Sequence, residues 1–307
     1  MVTEHMDPQL DIKAPSSHNH SPSAPLFIAE VSSNHAQDIG RAKEFIHAAA
    51  QAGCGAVKFQ LFKIDQLFAP EILAKSKQHR DRRAWELPLE FLPELRQECD
   101  RAHMQFSCTP FYLAAVGELE PYVDFYKIAS YEMIWDDLIT ACAHTGKPLI
   151  MSTGMATMDE VTHAVNVFRA AGGDDLTLLH CVSGYPSPAD QSNLAAIDAI
   201  RNATGCPVGW SDHSRTPGVI ARAVQHWHAP VIEFHIDLDE QGAEYQTGHC
   251  WLPDEIAPVI AGAIDGDPLA DGTGVKAPAD AELPDRDWRA DPSDGLRPLK
   301  HVREQWR

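Results

Sequence analysis

Two stretches hold residue types that could do chemistry together. VGWSDHSRTPG (208–218) is an apolar, β-branched run that ends in Asp212 and His213, and VIEFHIDLDEQG (231–242) is another that carries Glu233 and His235. If the two runs are neighbouring parallel strands, their ends lie about 5 Å apart. His213 and His235 could then share one divalent cation, with water or substrate at its other positions. Two imidazoles suit a borderline first-row ion such as manganese, iron, cobalt or zinc, and an open site is what Lewis-acid catalysis requires. The pair could equally serve as hydrogen-bonded structural or acid-base residues.

Lys58 in AVKFQ and Lys127 in FYKIAS form a second constellation, because a lysine inside an apolar strand is costly to bury unless its charge has a partner. One reading is a bound phosphate or carboxylate, with Thr109, Ser130, Ser152, Ser183 and Ser211 as neutral donors around it. A second reading pairs each lysine with a barrel glutamate such as Glu30 or Glu132. A Schiff-base role for either lysine would instead make an aldolase without a metal. Cys108 and Cys181 have no neighbour that would lower their pKa and read as small buried residues.

These residues need a scaffold that brings them to one place. From Pro25 onward, strand-like runs alternate with helix-like stretches, as βαβ units require. The runs are 26–32, 55–62, 105–111, 125–130, 148–154, 176–183, 207–213 and 231–238. The helical stretches are 39–53, 88–104, 113–120, 136–145, 157–171, 192–203, 217–228 and 253–265. In the first, Ala42, Phe45, Ile46 and Ala49 share one face and Gly53 supplies the stop. Eight alternations predict a (β/α)₈ TIM barrel, an α/β fold, over 25–265. Glu30, Lys58, Gln60, Thr109, Lys127, Ser130, Ser152, Thr153, Ser183, Asp212, His213 and His235 all fall toward the C-terminal ends of their runs, where a barrel builds its active site.

The flanks differ in kind. Residues 1–24 are polar and rich in Pro, Ser and His, which predicts a flexible tail with no secretory character. The segment 63–87 is long for a βα loop and carries Lys75, Lys77, Arg80, Arg82 and Arg83, which suits either a binding lid or a solvated helix. Residues 266–307 are too poor in apolar residues for a second domain and predict an extended tail. With 307 residues, 44 acidic and 25 basic side chains and a formal charge of −19, the chain should repel nucleic acid and anionic membrane. Any anionic substrate must be held by local lysines or a metal. Seven scattered cysteines without CxxC spacing predict free thiols and a cytoplasmic setting.

The motifs FIAEVSSNHAQDIGRAKEFIHAAAQAGCGAVKFQLFK, SCTPF, YKIASYE, KPLIMSTGMAT, LLHCVSGYPSP, PVGWSDHS and VIEFHIDLD stand in the order found in the sialic acid (N-acetylneuraminate) synthase family. The chain resembles that family from about residue 25 to 245. The resemblance implies condensation of phosphoenolpyruvate with the open-chain aldehyde of an N-acetylmannosamine-like aldose, giving a 2-keto-3-deoxy sugar acid and phosphate. It implies a divalent metal, Mn²⁺ or Mg²⁺, on His213 and His235, and a homodimer. Lys58, Thr109, Lys127, Ser130, Ser183 and Ser211 match positions around phosphoenolpyruvate, with Ser152 nearby. Glu30, Gln60, Glu132, Tyr185 and Glu233 match positions facing the sugar, the metal or the reacting centre.

Three departures mark this chain. The antifreeze-like domain that in the family follows a stretch like GTGVKAPADAE is not expected from LPDRDWRADPSDGLRPLKHVREQWR, and a tail arginine, Arg286, Arg289 or Arg297, is a candidate replacement for the one that domain supplies. The usual Gly-Pro-Asp stretch has become GAEYQTGHCWLP (242–253), with Glu244 near the expected aspartate and an added His249. The asparagine before Tyr185-Pro186 is absent, and the usual NHNG turn reads NHAQ (34–37). The floor of the site looks retained and the sugar end rebuilt. Two alternatives stand beside the synthase: a keto-acid lyase or aldolase on the same barrel, and a catalytically silent sugar-binding barrel.

Overall fold

The computed structural model describes residues 25–262 and 274–306; the tail expected over 1–24 and the residues 263–273 lie outside them. Eight strands close a parallel barrel in sequence order: β1 (Leu26–Ser32), β2 (Ala56–Leu61), β3 (Gln105–Pro110), β4 (Phe125–Ile128), β5 (Leu149–Ser152), β6 (Leu176–Cys181), β7 (Val208–Asp212) and β8 (Val231–His235). The outer helices are Ile39–Gln51, Leu92–Ala102, Leu113–Leu119, Asp136–His144, Met158–Ala170, Ala196–Thr204, Pro217–Gln225 and Pro253–Gly262. The (β/α)₈ expectation therefore holds, with strands shorter than the apolar runs at several ends. Among the described residues no helix is long and apolar enough to cross a membrane.

Strand alternation explains how the barrel divides its interior. Side chains two residues apart share a face, so a strand can carry apolar residues low in the barrel and polar ones at its mouth. Ile28, Ala56, Phe125, Ile150, Leu179 and Val231 form one apolar cluster. Two residues further along each strand stand Glu30, Lys58, Lys127, Ser152, Cys181 and Glu233, all buried. The intervening residues, such as Ala29, Val57, Tyr126, Met151 and Ile232, pack in the larger core with the helices. The apolar layer plugs the bottom, and the polar layer above it is the floor of a site.

Register fixes who meets whom. Glu30 lies beside Lys58 on β2 and beside His235 on β8, while Ser211 lies beside Glu233. The β1–β2 register shifts between Glu30 and Ser32, and Ser32 takes a left-handed φ of 54°. Such an irregularity next to a site re-aims a side chain. The NHAQ turn keeps a tight shape with Ala36 and Gln37 at φ of 51° and 54°, a conformation that side chains rarely adopt.

The described part of the tail, 274–306, lies across the barrel mouth. Glu282 is buried and accepts from the backbone N–H groups of Met155, Ser183 (3.2 Å) and Ala279 (2.7 Å). Ala290 N–H donates to the Tyr131 carbonyl at 3.1 Å, and Arg297 exchanges backbone bonds with Leu67 (3.1 Å) and Ala69 (2.8 Å). The lid-like segment after β2 folds into short helical turns, Ile64–Leu67, Pro70–Lys75, Lys77–Asp81 and Arg82–Trp85. His79 from that segment stacks on Trp288 of the tail, ring centroids 5.1 Å apart and nearly parallel.

Candidate active site

The floor is an ionic cluster with almost no access to water. Lys58 forms an ion pair with Glu30, lies 3.8 Å from Glu233 and donates to Thr109 Oγ1 at 3.3 Å. Lys127 Nζ lies 3.6 Å from Glu233 and donates to the Ile128 carbonyl at 3.2 Å. Glu233 also accepts from Ser211 Oγ at 3.1 Å, and Gln60 donates to Glu30 at 2.6 Å. The lysine–glutamate reading is thus met by Glu30 and Glu233. Glu132, the other suggested partner, pairs instead with Arg297.

This cluster tunes its members apart. Burial works to lower the Lys58 pKa, but the Glu233 and Glu30 carboxylates reverse it and hold it above the ordinary lysine value. For Lys127 burial wins, helped by Lys58, and its pKa lies below the ordinary value despite Glu233. Burial would raise Glu233, yet Lys127 and Lys58, then His235 and His213, bring it down to about 2. The carboxylate is therefore ionised and the two ammonium groups compete for it.

Above the cluster is an inner pocket of about 60 Å³ lined by Glu30, Lys58, Gln60, Lys127, Ser130, Ser152, Tyr185, Ser211, His213, Glu233 and His235, among others. Ser152 Oγ is buried without a hydrogen-bond partner among the described residues. Ser130 Oγ accepts from Gly154 N–H at 3.0 Å, and a side chain at Gly154 would collide with the hydroxyls of Ser183 and Ser130. Glycine there leaves room beside a group of donors and lysines, which is what a small anion needs. Thr109 and Ser183 reach this group through Lys58 and Cys181 rather than by lining the pocket.

His213 follows β7 and His235 ends β8, with ring centroids 5.2 Å apart. His213 Nδ1 meets the Val182 carbonyl at 2.8 Å, which makes Nδ1 the protonated nitrogen and leaves Nε2 with a lone pair. Burial, the first cause for both, lowers the pKa of His213 and of His235, so each is a neutral imidazole, the form that ligates metals. The residues fit the divalent ion that the resemblance implies. Tyr185, 40% exposed, packs 4.3 Å from the His213 ring and 5.9 Å from the His235 ring.

An outer cleft of about 410 Å³ opens above, lined by Gln60, Tyr185, His235, Glu244 and His249 together with Phe68, His79 and Arg82 of the lid and Asp285, Trp288 and Arg297 of the tail. Of the basic lid residues only Arg82 faces this cleft; Lys77 pairs with Asp81 and Arg83 with Asp65. The three candidate tail arginines separate cleanly. Arg286 and Arg289 pair with Glu160, at 3.6 and 3.3 Å. Arg297 points its guanidinium into the cleft, over Tyr131 (4.4 Å) and Phe111 (5.5 Å), and its Nε has no hydrogen-bond partner among the described residues. Burial holds the Arg297 pKa down to about 9, with Tyr131 opposing and Arg82 adding.

Sequence reasoning missed the rim contacts. Glu244 accepts from Ser32 Oγ at 2.6 Å and faces His235 Nδ1 at 3.1 Å, while His249 Nε2 lies 3.7 Å from it. Cys250 and Asn34 complete the surroundings of that carboxylate. Spacing along the chain gives no hint that Ser32 and Glu244 touch. Nor does it hint at the lid–tail stack of His79 on Trp288.

Residues 45–271 match the NeuB family. An uncharacterized protein of Methanocaldococcus jannaschii is 37% identical over 217 residues, which take in 70% of this chain and 63% of that protein. The N,N'-diacetyllegionaminic acid synthase of Legionella pneumophila is 33% identical over 287 residues, 85% of this chain and 77% of the synthase. Among solved structures, the spore coat polysaccharide biosynthesis protein spsE of Bacillus subtilis aligns with a TM-score of 0.76 at 27% identity, covering 87% of this chain and 78% of that one.

Proposed function

The chain belongs to the NeuB family, and from that premise we propose that it condenses phosphoenolpyruvate with an N-acetylmannosamine-like aldose, forming a sialic-acid-like 2-keto-3-deoxy sugar acid and phosphate. The observation that carries the reading is the inner pocket, where two buried lysines and several hydroxyls converge on a space of small-anion size. Lys58, Lys127, Thr109, Ser130, Ser152, Ser183 and Ser211 hold the phosphate and carboxylate. Gln60, Glu244 and Arg297 face the outer cleft, where the acceptor enters.

The bond that forms joins the enol methylene carbon to the aldehyde carbon, while the aldehyde C=O π bond opens onto its oxygen, which takes up a proton. Water then adds to the former enol carbon, and the C–O bond to phosphate breaks as the added hydroxyl gives up its proton and that carbon becomes the ketone. Glu233, held ionised beside both lysines, takes the proton of that water; Glu30 keeps Lys58 charged and in place. Tyr185 closes the pocket against bulk water, and Glu132 positions Arg297. A divalent ion, Mn²⁺ in first place and Mg²⁺ in second, belongs at His235, with His213 the second ligand that the resemblance implies; when bound it polarises the aldehyde. A cytoplasmic homodimer is the setting we assign.

Phosphate release from phosphoenolpyruvate with manganese, across N-acetylmannosamine, its 6-phosphate and di-N-acetylated 6-deoxyhexoses, tests this directly. Release that requires one aldose and vanishes in Lys127→Ala supports the synthase. Release with none of them overturns it. The lowered pKa of Lys127 favours one competing reading, a Schiff-base aldolase. Borohydride trapping of pyruvate on Lys127 would establish that chemistry instead.

A further inference from the structure

The rebuilt loop does more than reshape the cleft. We propose that His235, Glu244, His249 and Cys250 form a four-donor site for a soft first-row divalent cation, zinc, cobalt or iron, on the loop side of His235. One ligand atom from each of the four lies within 4.8 Å of every other. Around the Glu244 Oε2 atom the separations are 3.1 Å to His235 Nδ1, 3.7 Å to His249 Nε2 and 3.6 Å to Cys250 Sγ. Ligand atoms in a tetrahedral zinc site with these donors stand about 3.4–3.8 Å apart. Small side-chain shifts therefore bring the four into coordination geometry.

The surroundings are those of ligands already aimed. Thr247 Oγ1 meets His249 Nδ1 at 2.8 Å, which leaves Nε2 toward the carboxylate. Ser32 Oγ donates to Glu244 Oε1 at 2.6 Å, which leaves Oε2 toward the other three. Outer partners of this kind fix ring orientation and carboxylate rotamer in metal sites. The loop itself is pinned to the barrel, because Trp251 N–H donates to the His235 carbonyl and Asp237 N–H to the Trp251 carbonyl, both at 2.9 Å. His249 and Cys250 are buried, and the clefts on either side of Glu244 give an ion its way in.

The donor set decides the class of ion. A thiolate and two imidazoles select zinc, iron or cobalt over magnesium and calcium, which prefer oxygen. The site also differs from the His213–His235 pair in its face of the ring. If Nδ1 of His235 holds the ion, its Nε2 carries the proton, so a neutral His235 serves either this site or the His213–His235 pair and not both at once. His213 then remains a hydrogen-bonded neighbour. This inference goes beyond the synthase reading: an ion held here takes His235 from the pair that the synthase reading uses, and its test reads binding without any turnover.

The test is cobalt titration of the chelator-stripped full chain, followed by absorption spectroscopy and by competition with a chelator. One equivalent should give tetrahedral d–d bands and a near-ultraviolet sulfur-to-cobalt band. C250S should lose the sulfur band, His249→Ala should weaken binding roughly 100-fold or more, and His213→Ala should retain both signals. If C250S or His249→Ala folds poorly, the cobalt-induced rise of the wild-type melting temperature, and its loss in Glu244→Gln, reads the same binding without them. Absent cobalt binding overturns the proposal, as do bands that survive C250S and His249→Ala but disappear in His213→Ala.

Discussion

The floor of the barrel and its rim hold charge by different means. On the floor, Lys58, Lys127, Glu30 and Glu233 come from strands β2, β4, β1 and β8, so closure of the barrel brings them together. At the rim, Glu244, His249, Arg82 and Arg297 come from a loop, a lid and a tail, and each is held by side-chain contacts. Rigid strands suit a reacting group that must not move, and loops suit a site that must fit one acceptor among many. Floor substitutions should therefore cost binding and folding together, while rim substitutions alter selectivity.

The largest effect should come from Lys58→Met. It leaves Glu30 and Glu233 buried without their shared cation, which costs about 3–5 kcal/mol of folding stability. Urea unfolding reads this; a change under about 1 kcal/mol, the range of an exposed ion pair, would show that the floor is wetter than its burial indicates. Arg297→Ala should come next. Losing one charged donor at the cleft is worth about 1.5–3 kcal/mol, so the KM for the aldose should rise roughly 10- to 100-fold, while the KM for phosphoenolpyruvate stays near wild type. Equal rises in both would erase the division between rim and floor.

Acid should act on buried histidines outside both regions. Burial first, with Lys276 adding, brings His180 down to about 3, and burial brings His35 down to about 4 against Glu244. In the unfolded chain each takes up its proton near pH 6.5. Their contribution is therefore whole above that value and falls as pH drops toward the folded pKa, by about 1.4 kcal/mol per pH unit for each histidine. Denaturation midpoints between about pH 6.5 and 4.5 should show the slope, and His180→Asn should flatten it. The smallest effect is expected for Trp288→Ala, which removes the stack on His79 and costs about 0.5–1.5 kcal/mol. Hydrogen exchange should speed up across 280–306 and leave the strands unchanged.

The floor was legible in the sequence because period-two alternation left a lysine where an apolar residue belongs, at 58 and again at 127. The eight apolar runs revealed the barrel for the same reason. Which carboxylate would hold which lysine was not legible, since Glu30 meets both Lys58 and His235 only through barrel closure. The rim was legible only as a departure. Glu244 and His249 stood out as unexpected residues, but their contacts with Ser32 and Cys250 depend on a strand irregularity and a loop conformation that no periodicity encodes. Arg297 was one of three candidates, and only tail docking separated it from Arg286 and Arg289.

Calorimetric titration of phosphoenolpyruvate into the wild type, Lys127→Ala and Arg297→Ala tests the division most directly. A phosphoenolpyruvate site on the floor predicts one site per chain, an affinity unchanged by Arg297→Ala, and a loss of roughly 100-fold in Lys127→Ala. Failure of the wild type to bind, or binding indifferent to Lys127, would contradict it.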